Sequence, residues 1–407
     1  MKYIAIIGFG VVGGGITEVI EQNKAAVKRL VGDEIYVKYI LDLREFPDSP
    51  YGDRVVHDVN IIADDPEISV VCETMGGVNP AFDFSMLMLK NKKSVVTSNK
   101  ELVAKRGVEL LSAARQAGVQ YLFEASVGGG IPEIRGMRTS LAGDTVSGID
   151  GIMNGTTNYI LTRMKKDGAS FDEALSEAQR LGYAEKDPTA DVDGFDAQRK
   201  IMILTAVATD MMADEGDVYR ETMRNITPLD MDAAARFGGT VKLLGSARIG
   251  EDSASVFVCP FFVPSDCPLS FVDDVYNGIR VMSPVTADVM FYGRGAGRMP
   301  TAGAVVADVV SVLSGIAEKE RSAKWEYAPD GYITPFEENS FSYYLRIRTE
   351  SPEECAEAVR LAFGGAEILQ GSPEGFAELI TDEINEKDAR SLFPSLEGLE
   401  SHIRIMK

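Results

Sequence analysis

The segment Gly182-Tyr-Ala-Glu-Lys-Asp-Pro-Thr-Ala-Asp-Val-Asp-Gly-Phe-Asp-Ala-Gln-Arg-Lys200 sets Glu185, Asp187, Asp191, Asp193 and Asp196 ahead of two adjacent cations, Arg199 and Lys200. Repeated acids around a Pro and glycines make poor core and poor regular helix, so the stretch suits recognition of a polar substrate. Asp196 lies one helical turn before Lys200, which puts the two on one face. A second lysine closes the run Thr97-Ser-Asn-Lys100 at the end of a strand pattern, the edge where open α/β sheets place their sites. When a carbonyl is reduced by hydride, the forming alkoxide needs a cation or an acid beside it. A lysine in a partly dry pocket can be that acid, because desolvation lowers its pKa. Taken singly, each lysine fits a surface ion pair better than a catalytic role. With a glycine turn at the N-terminus, the set points to a dehydrogenase acting on a small amino-acid-like molecule.

That turn is Gly8-Phe-Gly-Val-Val-Gly13, a match to G-x-G-x-x-G between a strand pattern and a helix pattern. The first Gly permits the tight turn, the second lets backbone approach a pyrophosphate, and the third packs helix on sheet. The helix N-terminus then offers its amides to phosphates. Gly8, Phe9, Gly10, Val11, Val12 and Gly13 are therefore candidate dinucleotide contacts. At the end of the second strand stand Asp42 and Arg44. Asp42 suits a free ribose 2′-OH and Arg44 a 2′-phosphate, so NAD and NADP both remain open. Thr74-Met-Gly-Gly77, after the next strand, suits a close pass by the nicotinamide ribose.

The elements that must position these residues are legible as periodicity. Strands at 3–7, 35–41, 70–73, 94–97 and 120–124 alternate with helices at 16–30, 81–90 and 102–117. Such alternation argues for a parallel sheet with helices on both faces, here of Rossmann type. Beyond Gly128-Gly-Gly130 the pattern changes to an α+β region. A strand at 145–153 leads into Asn154-Gly-Thr-Thr-Asn158 and a helix to about residue 166. A helix follows at 171–181, with Ser170 as N-cap and Gly182 just past its end. Next come a helix at 195–209, antiparallel strands at 241–249 and 255–263, and a buried helix at 301–313. Residues 326–340 resemble a linker. Residues 341–407 read βαββαβ, the order of a small ferredoxin-like unit. The expected domains are thus 1–128 for dinucleotide, 129–325 for substrate (its last helix returning to the first domain), and 341–407 at the C-terminus.

The balance of 41 Lys and Arg against 62 Asp and Glu gives a net charge of −21. That argues against nucleic-acid or anionic-membrane partners, which need a basic footprint. No stretch approaches the roughly 20 apolar residues of a membrane helix, and no signal peptide is evident. Of Cys72, Cys259, Cys267 and Cys355, only the loose pair Cys259 and Cys267 approaches metal-ligand spacing, and neither of the two histidines, His57 and His402, lies near that pair. A cytoplasmic protein with reduced thiols is the expectation.

In this order the motifs closely resemble homoserine dehydrogenase. They are the N-terminal GxGxxG, Thr97-Ser-Asn-Lys100, Glu124-Ala-Ser-Val-Gly-Gly-Gly-Ile-Pro132, Asn154-Gly-Thr-Thr-Asn158, the segment 182–200, Phe291-Tyr-Gly-Arg-Gly-Ala-Gly297 and Pro300-Thr-Ala302. They cover about the first 310 residues. The resemblance implies NADPH- or NADH-dependent, reversible reduction of L-aspartate 4-semialdehyde to L-homoserine, a step toward threonine, methionine and isoleucine. It implies Lys200 as proton donor, with Lys100 also in the active site. Glu185 and Asp196 would hold the substrate's amino and hydroxyl ends, with Gly182 beside them and Asp191 in support. Asn154, Gly155 and Thr156 would form a polar wall, and Gly295 and Gly297 would approach the cofactor from the substrate domain. It further implies a monovalent cation, usually sodium, held by Glu124 and the carbonyls of Val127, Gly129 and Ile131. Middle-domain dimerisation into a homodimer or homotetramer belongs to the same expectation.

Two departures stand out. The family commonly has Val-Arg-Asp where this chain has Asp42-Leu43-Arg44, which leaves cofactor preference open. Residues 341–407 sit where relatives carry an ACT regulatory domain, but Thr349-Glu-Ser-Pro-Glu353 replaces its Asp-x-Pro-Gly turn. Threonine as an effector is therefore in question, and the module could serve dimerisation alone. Two rival readings fit the residues less well. Aspartate-semialdehyde dehydrogenase needs a thiol nucleophile, and no cysteine sits in a turn poised over the cofactor. A non-catalytic nucleotide sensor with a regulatory C-terminal module would have no need of Lys100, Lys200 and the whole acidic segment.

Overall fold

The short Ile- and Val-rich runs of the N-terminal region form the parallel sheet their spacing predicts. In the computed structural model, which describes residues 1–317 and 323–406, the chain divides into two compact units. The first comprises Met1–Thr145, Met202–Glu215 and Gly293–Ala328. Its sheet contains β1 (Lys2–Ile7), β2 (Ile35–Leu41), β3 (Val55–Val56), β4 (Ile68–Glu73), β5 (Ser94–Thr97) and β6 (Tyr121–Leu122), in the order β3-β2-β1-β4-β5-β6. All pairs are parallel, and the order reverses between β1 and β4, the switch point where such sheets bind dinucleotides. Ile4, Ile6, Val70, Cys72 and Val96 build the core with Ile16, Ile20 and Val305.

The single helix expected at 16–30 is two helices, Val11–Gln22 and Lys24–Val31. Asn23 separates them, and its side-chain amide donates to the Val19 carbonyl at 3.1 Å. Such local side-chain bonding competes with the helical ladder. The helix Arg298–Leu313 belongs to this unit and packs against Val11–Gln22, so closely that a Cβ on Gly15 would lie 2.9 Å from the Ala302 Cβ. The unit also extends past residue 128 to Thr145. Arg135 pairs with Asp308 at 2.7 Å, and the Glu124 amide donates to the same carboxylate at 3.0 Å.

The second unit comprises Val146–Ile201, Gly216–Tyr292 and Pro329–Lys407. Its main strands are β7 (Gly148–Ile152), β8 (Gly239–Ile249), β9 (Ala254–Pro264), β10 (Tyr276–Met282), β11 (Val289–Arg294), β12 (Ser340–Arg348), β13 (Ala366–Ile368), β14 (Phe376–Thr381) and β15 (Leu399–Ile405). They form one mixed sheet in the order β11-β10-β7-β8-β9-β15-β12-β14-β13, and two short side strands bring it to eleven.

The C-terminal residues fold in the predicted βαββαβ order, but they are not a separate body. β15 continues the sheet by pairing in parallel with β9, Phe261 opposite Arg404 and Phe262 opposite Ile405. An edge strand carries a row of unpaired N–H and C=O groups; here a neighbour takes them up. The Phe262 and Tyr344 rings stack across the seam at 4.6 Å. Nor is 326–340 a plain linker. Glu326–Tyr327 pairs with Met211–Met212 in the first unit, while in the second Phe336 is buried and stacks on Tyr219 at 4.0 Å. Pro and Gly in this stretch concealed its packed aromatic. No helix among the described residues is long and apolar enough to cross a membrane.

Candidate active site

The glycine turn of the first unit is closed by geometry that only glycine satisfies. Gly8 has φ of +92°, in the left-handed region. A Cβ on Gly13 would lie 2.2 Å from the Gly8 carbonyl oxygen, whereas one on Gly10 would meet nothing within 4 Å. The turn is therefore tight at its base and open at its tip, where helix Val11–Gln22 begins without a side-chain cap. Phe9 is buried against Phe46, Val12 is partly buried, and Val11 is exposed.

Asp42 and Arg44 engage each other and the turn. The Phe9 amide donates to Asp42 Oδ2 at 2.8 Å. Arg44 donates through Nε and Nη2 to the same carboxylate, both at 3.0 Å. Chiefly because of that guanidinium, the Asp42 pKa is pushed down to about 2. Arg44 itself is largely exposed and lies over the Phe46 ring.

Two further turns line the same end of the sheet. The Thr74 hydroxyl donates to the Gly8 carbonyl at 2.6 Å, joining the turn after β4 to the one after β1. Lys100 is partly buried and opens the helix Lys100–Ala117, whose N-cap is Asn99. Gly295 and Gly297 differ from expectation in that they belong to the first unit. Gly295 is buried, and a Cβ on Gly129 would lie 2.8 Å from its carbonyl oxygen. Gly297 has φ of +121° and precedes the helix Arg298–Leu313. The family resemblance implied the substrate domain, but after β11 the chain forms the helix Arg298–Leu313, which packs on the Val11–Gln22 helix.

The loop 124–131 turns through Gly128 and Gly129, with φ of +60° and +44°. Glu124 is buried and accepts the amides of Ile134 (3.1 Å) and Arg135 (2.9 Å). Burial, and then the charge of Asp308, hold its carboxyl well above the usual carboxylate range. Among the described residues no cluster of three His, Cys, Asp or Glu is placed to hold a metal, so an ion in this loop would depend on backbone oxygens. Carbonyls beside one buried carboxylate fit a hard monovalent cation.

In the second unit the acidic segment converges on Asn154. Its side-chain amide donates to Asp191 Oδ1 at 2.7 Å and to Asp196 Oδ2 at 2.9 Å. Its Oδ1 caps the helix Gly155–Asp167 by accepting the Thr157 amide. Lys200 Nζ donates to Asp196 Oδ2 at 2.7 Å and to the Met153 carbonyl at 2.6 Å. The Lys200 and Asp196 side chains are only 8% and 6% exposed. An ammonium carries three donors, and the described bonds of Lys200 use two. Gly155 permits a close approach, since a Cβ there would lie 2.9 Å from the Val275 carbonyl oxygen. The Thr156 hydroxyl donates to the Tyr183 carbonyl at 2.6 Å, pinning the start of the segment. Gly182 follows the helix Phe171–Arg180 with φ of +77°.

Glu185 is not drawn into this cluster. Its side chain is exposed, and its backbone carbonyl accepts Gln179 Nε2 at 3.0 Å. Asp193 is taken by Arg224 at 2.7 Å and Thr222 at 2.8 Å, and Asp187 caps the turn at Thr189. Sequence reasoning missed the Met153 carbonyl, which no residue type could signal. It also missed Asn99, although an Asn just before Lys-Glu at a helix start is a capping signature.

The region 132–310 matches the family model described as homoserine dehydrogenase, and 8–124 matches that of the homoserine dehydrogenase NAD-binding domain. The homoserine dehydrogenase of Bacillus subtilis is 39% identical, over 98% of this chain and 95% of its own. The crystal structure of a homoserine dehydrogenase from Thiobacillus denitrificans superposes with a TM-score of 0.90 at 34% identity, covering 100% of this chain and 98% of that one. A hyperthermophilic archaeal homoserine dehydrogenase, solved in complex with NADPH, gives 0.67 at 26% identity over 79% of this chain and 99% of that one.

Proposed function

The chain belongs to the homoserine dehydrogenase family, and from that premise we propose that Lys200 is the proton donor in the reversible reduction of L-aspartate 4-semialdehyde to L-homoserine. The activity is that of an NAD(P)-dependent oxidoreductase of aspartate-family amino-acid biosynthesis. The observation that carries the assignment is the Lys200 ammonium, buried, fixed by Asp196 and the Met153 carbonyl, with a third donor to give.

A bound nicotinamide supplies or accepts the hydride. Everything else falls to the chain. Lys200 Nζ directs an N–H at the carbonyl oxygen, stabilises negative charge as it develops, and passes the proton; in the reverse direction it takes the proton back. Asp196 holds Lys200 in place and accepts from the substrate hydroxyl. Asn154 keeps Asp196 and Asp191 together, and Gly155, Thr156 and Gly182 complete the polar wall. Glu185, with Asp191 in support, receives the α-ammonium, because a charge-assisted bond is the strongest a carboxylate can offer it. Glu185→Gln is therefore expected to raise KM for L-homoserine about tenfold and change kcat less than twofold. An unchanged KM removes Glu185 from the site.

On the dinucleotide side, Gly8, Phe9, Gly10, Val11, Val12 and Gly13 hold the pyrophosphate, while Thr74, Lys100, Gly295 and Gly297 approach the nicotinamide half. Asp42 would take the ribose 2′-OH of NAD, and the exposed Arg44 guanidinium would take the 2′-phosphate of NADP. Arg44→Ala is expected to raise KM for NADP about tenfold and leave that for NAD within twofold, since a charge-assisted bond contributes about 1.5–3 kcal/mol. Equal effects on the two nucleotides contradict this division.

Glu124 and the carbonyls of Val127, Gly129 and Ile131 would hold a monovalent cation, sodium by the family resemblance. It would compensate the Glu124 charge and stiffen the glycine loop, with no part in the redox chemistry. Family membership also supports a homodimer or homotetramer.

A further inference from the structure

We propose that Glu73 is a positioning residue for the dinucleotide, its buried carboxylate tying the turn 74–77 after β4 to the turn 97–100 after β5. Glu73 ends β4 opposite Thr97, which ends β5, and it is 0% exposed. Its Oε1 accepts the Met75 amide at 2.7 Å, and its Oε2 accepts the Thr97 hydroxyl at 2.5 Å. Thr97 Oγ1 in turn accepts the Asn99 amide at 2.9 Å. The Asn99 side chain closes the circuit by donating from Nδ2 to the Gly77 carbonyl at 2.7 Å, while its Oδ1 accepts the Leu102 amide at 3.1 Å. Next to Met75, the Thr74 hydroxyl reaches back to Gly8. One carboxylate thus joins the two turns, the base of the glycine turn and the first turn of the helix that begins at Lys100.

The chemistry of the position supports a role beyond filling space. Neighbouring strand positions in this core hold Val and Cys, which need no partners. A carboxylate there carries a desolvation cost, and burial pushes the Glu73 pKa up to about 7 against three hydrogen-bond donors. A group that accepts from both turns is what the cost maintains. Unlike a hydroxyl or an amide, an ionised carboxylate takes both bonds without donating. Two loops held at fixed separation present a pre-set surface to the nicotinamide half, so less ordering is left for the bound state.

This inference rests on the reading that the turns 74–77 and 97–100 line the cofactor. The test measures, by calorimetry on the full chain, dissociation constants for NADPH or NADH, whichever binds tighter, and for its adenylate fragment, 2′,5′-ADP or ADP. The variants are Glu73→Gln, the shape-preserving Thr97→Val, and the conservative Thr97→Ser. Expected is about tenfold weaker dinucleotide binding for Glu73→Gln and Thr97→Val. The fragment should stay within twofold for both variants, and Thr97→Ser should return the dinucleotide to within twofold. An unaltered protein holding dinucleotide and fragment equally tightly overturns the cofactor reading and this proposal with it. An unaltered protein that prefers the dinucleotide, with Glu73→Gln and Thr97→Val variants that keep the preference in full, overturns the proposal alone. Equal weakening of both ligands also overturns it, since that marks a general loss of structure.

Discussion

Lys200→Ala is expected to lower kcat for L-homoserine oxidation by about 10²- to 10⁴-fold, the range for a lost general acid–base group. The same factor should appear in the reduction of L-aspartate 4-semialdehyde, because one group serves both directions. Dinucleotide affinity should stay within twofold, since the glycine turn, Asp42 and Thr74 all lie in the other unit. The variant also leaves Asp196 buried without its cation, although the Asn154 amide still donates to it at 2.9 Å. A lower thermal midpoint is thus expected alongside the lost turnover, and single-turnover rates at a temperature where the variant is folded separate the two. A kcat within tenfold of the unaltered protein would mean that the proton comes from elsewhere.

Glu386→Ala is expected to destabilise the entire second unit by about 3 kcal/mol, the low end for breaking a buried ion pair. Glu386 is 0% exposed and accepts from Arg404 Nε at 2.9 Å and Nη2 at 2.6 Å, from Arg390 Nε at 2.7 Å, and from the Tyr343 hydroxyl. Its loss leaves Arg404, on the strand that pairs with β9, with Glu221 at 2.6 Å as its one remaining ionic partner among the described residues. The low end applies because that partner remains. If residues 341–407 are part of the sheet, denaturant unfolding of the variant shifts the transition that also reports on β8 and β9. A separate early transition that leaves substrate turnover intact would make those residues a detachable module.

The fold was legible wherever a segment has one strong period. Ile35–Leu41, Ala81–Lys90, Ser94–Thr97 and Phe195–Thr209 have the bounds their patterns predict. What escaped were features set by distant partners. Nothing in Leu399–Ile405 says that β9 will pair with it, and nothing near Phe336 announces Tyr219. The site divides the same way. Lys200 and Asp196 share a face because of helical spacing, which the sequence states outright. Asn154 as the joint between Asp191 and Asp196 needed the fold, since 42 residues separate it from Asp196. The exposed position of Glu185 likewise follows from the turn past Gly182, not from its being acidic. Gly295 and Gly297 belong to the first unit, not to the substrate domain that the family resemblance implied, because the chain after β11 continues into the helix Arg298–Leu313 of that unit.

The central claim is an enzyme that interconverts L-homoserine and its aldehyde through a proton held on Lys200. Initial-rate oxidation of L-homoserine by the unaltered protein and by Lys200→Ala, each with NAD and with NADP, tests it most directly. The account predicts dinucleotide reduction by the unaltered protein that depends on L-homoserine and falls at least about 10²-fold in the variant. No reduction with either nucleotide, or equal rates for the two proteins, would contradict it.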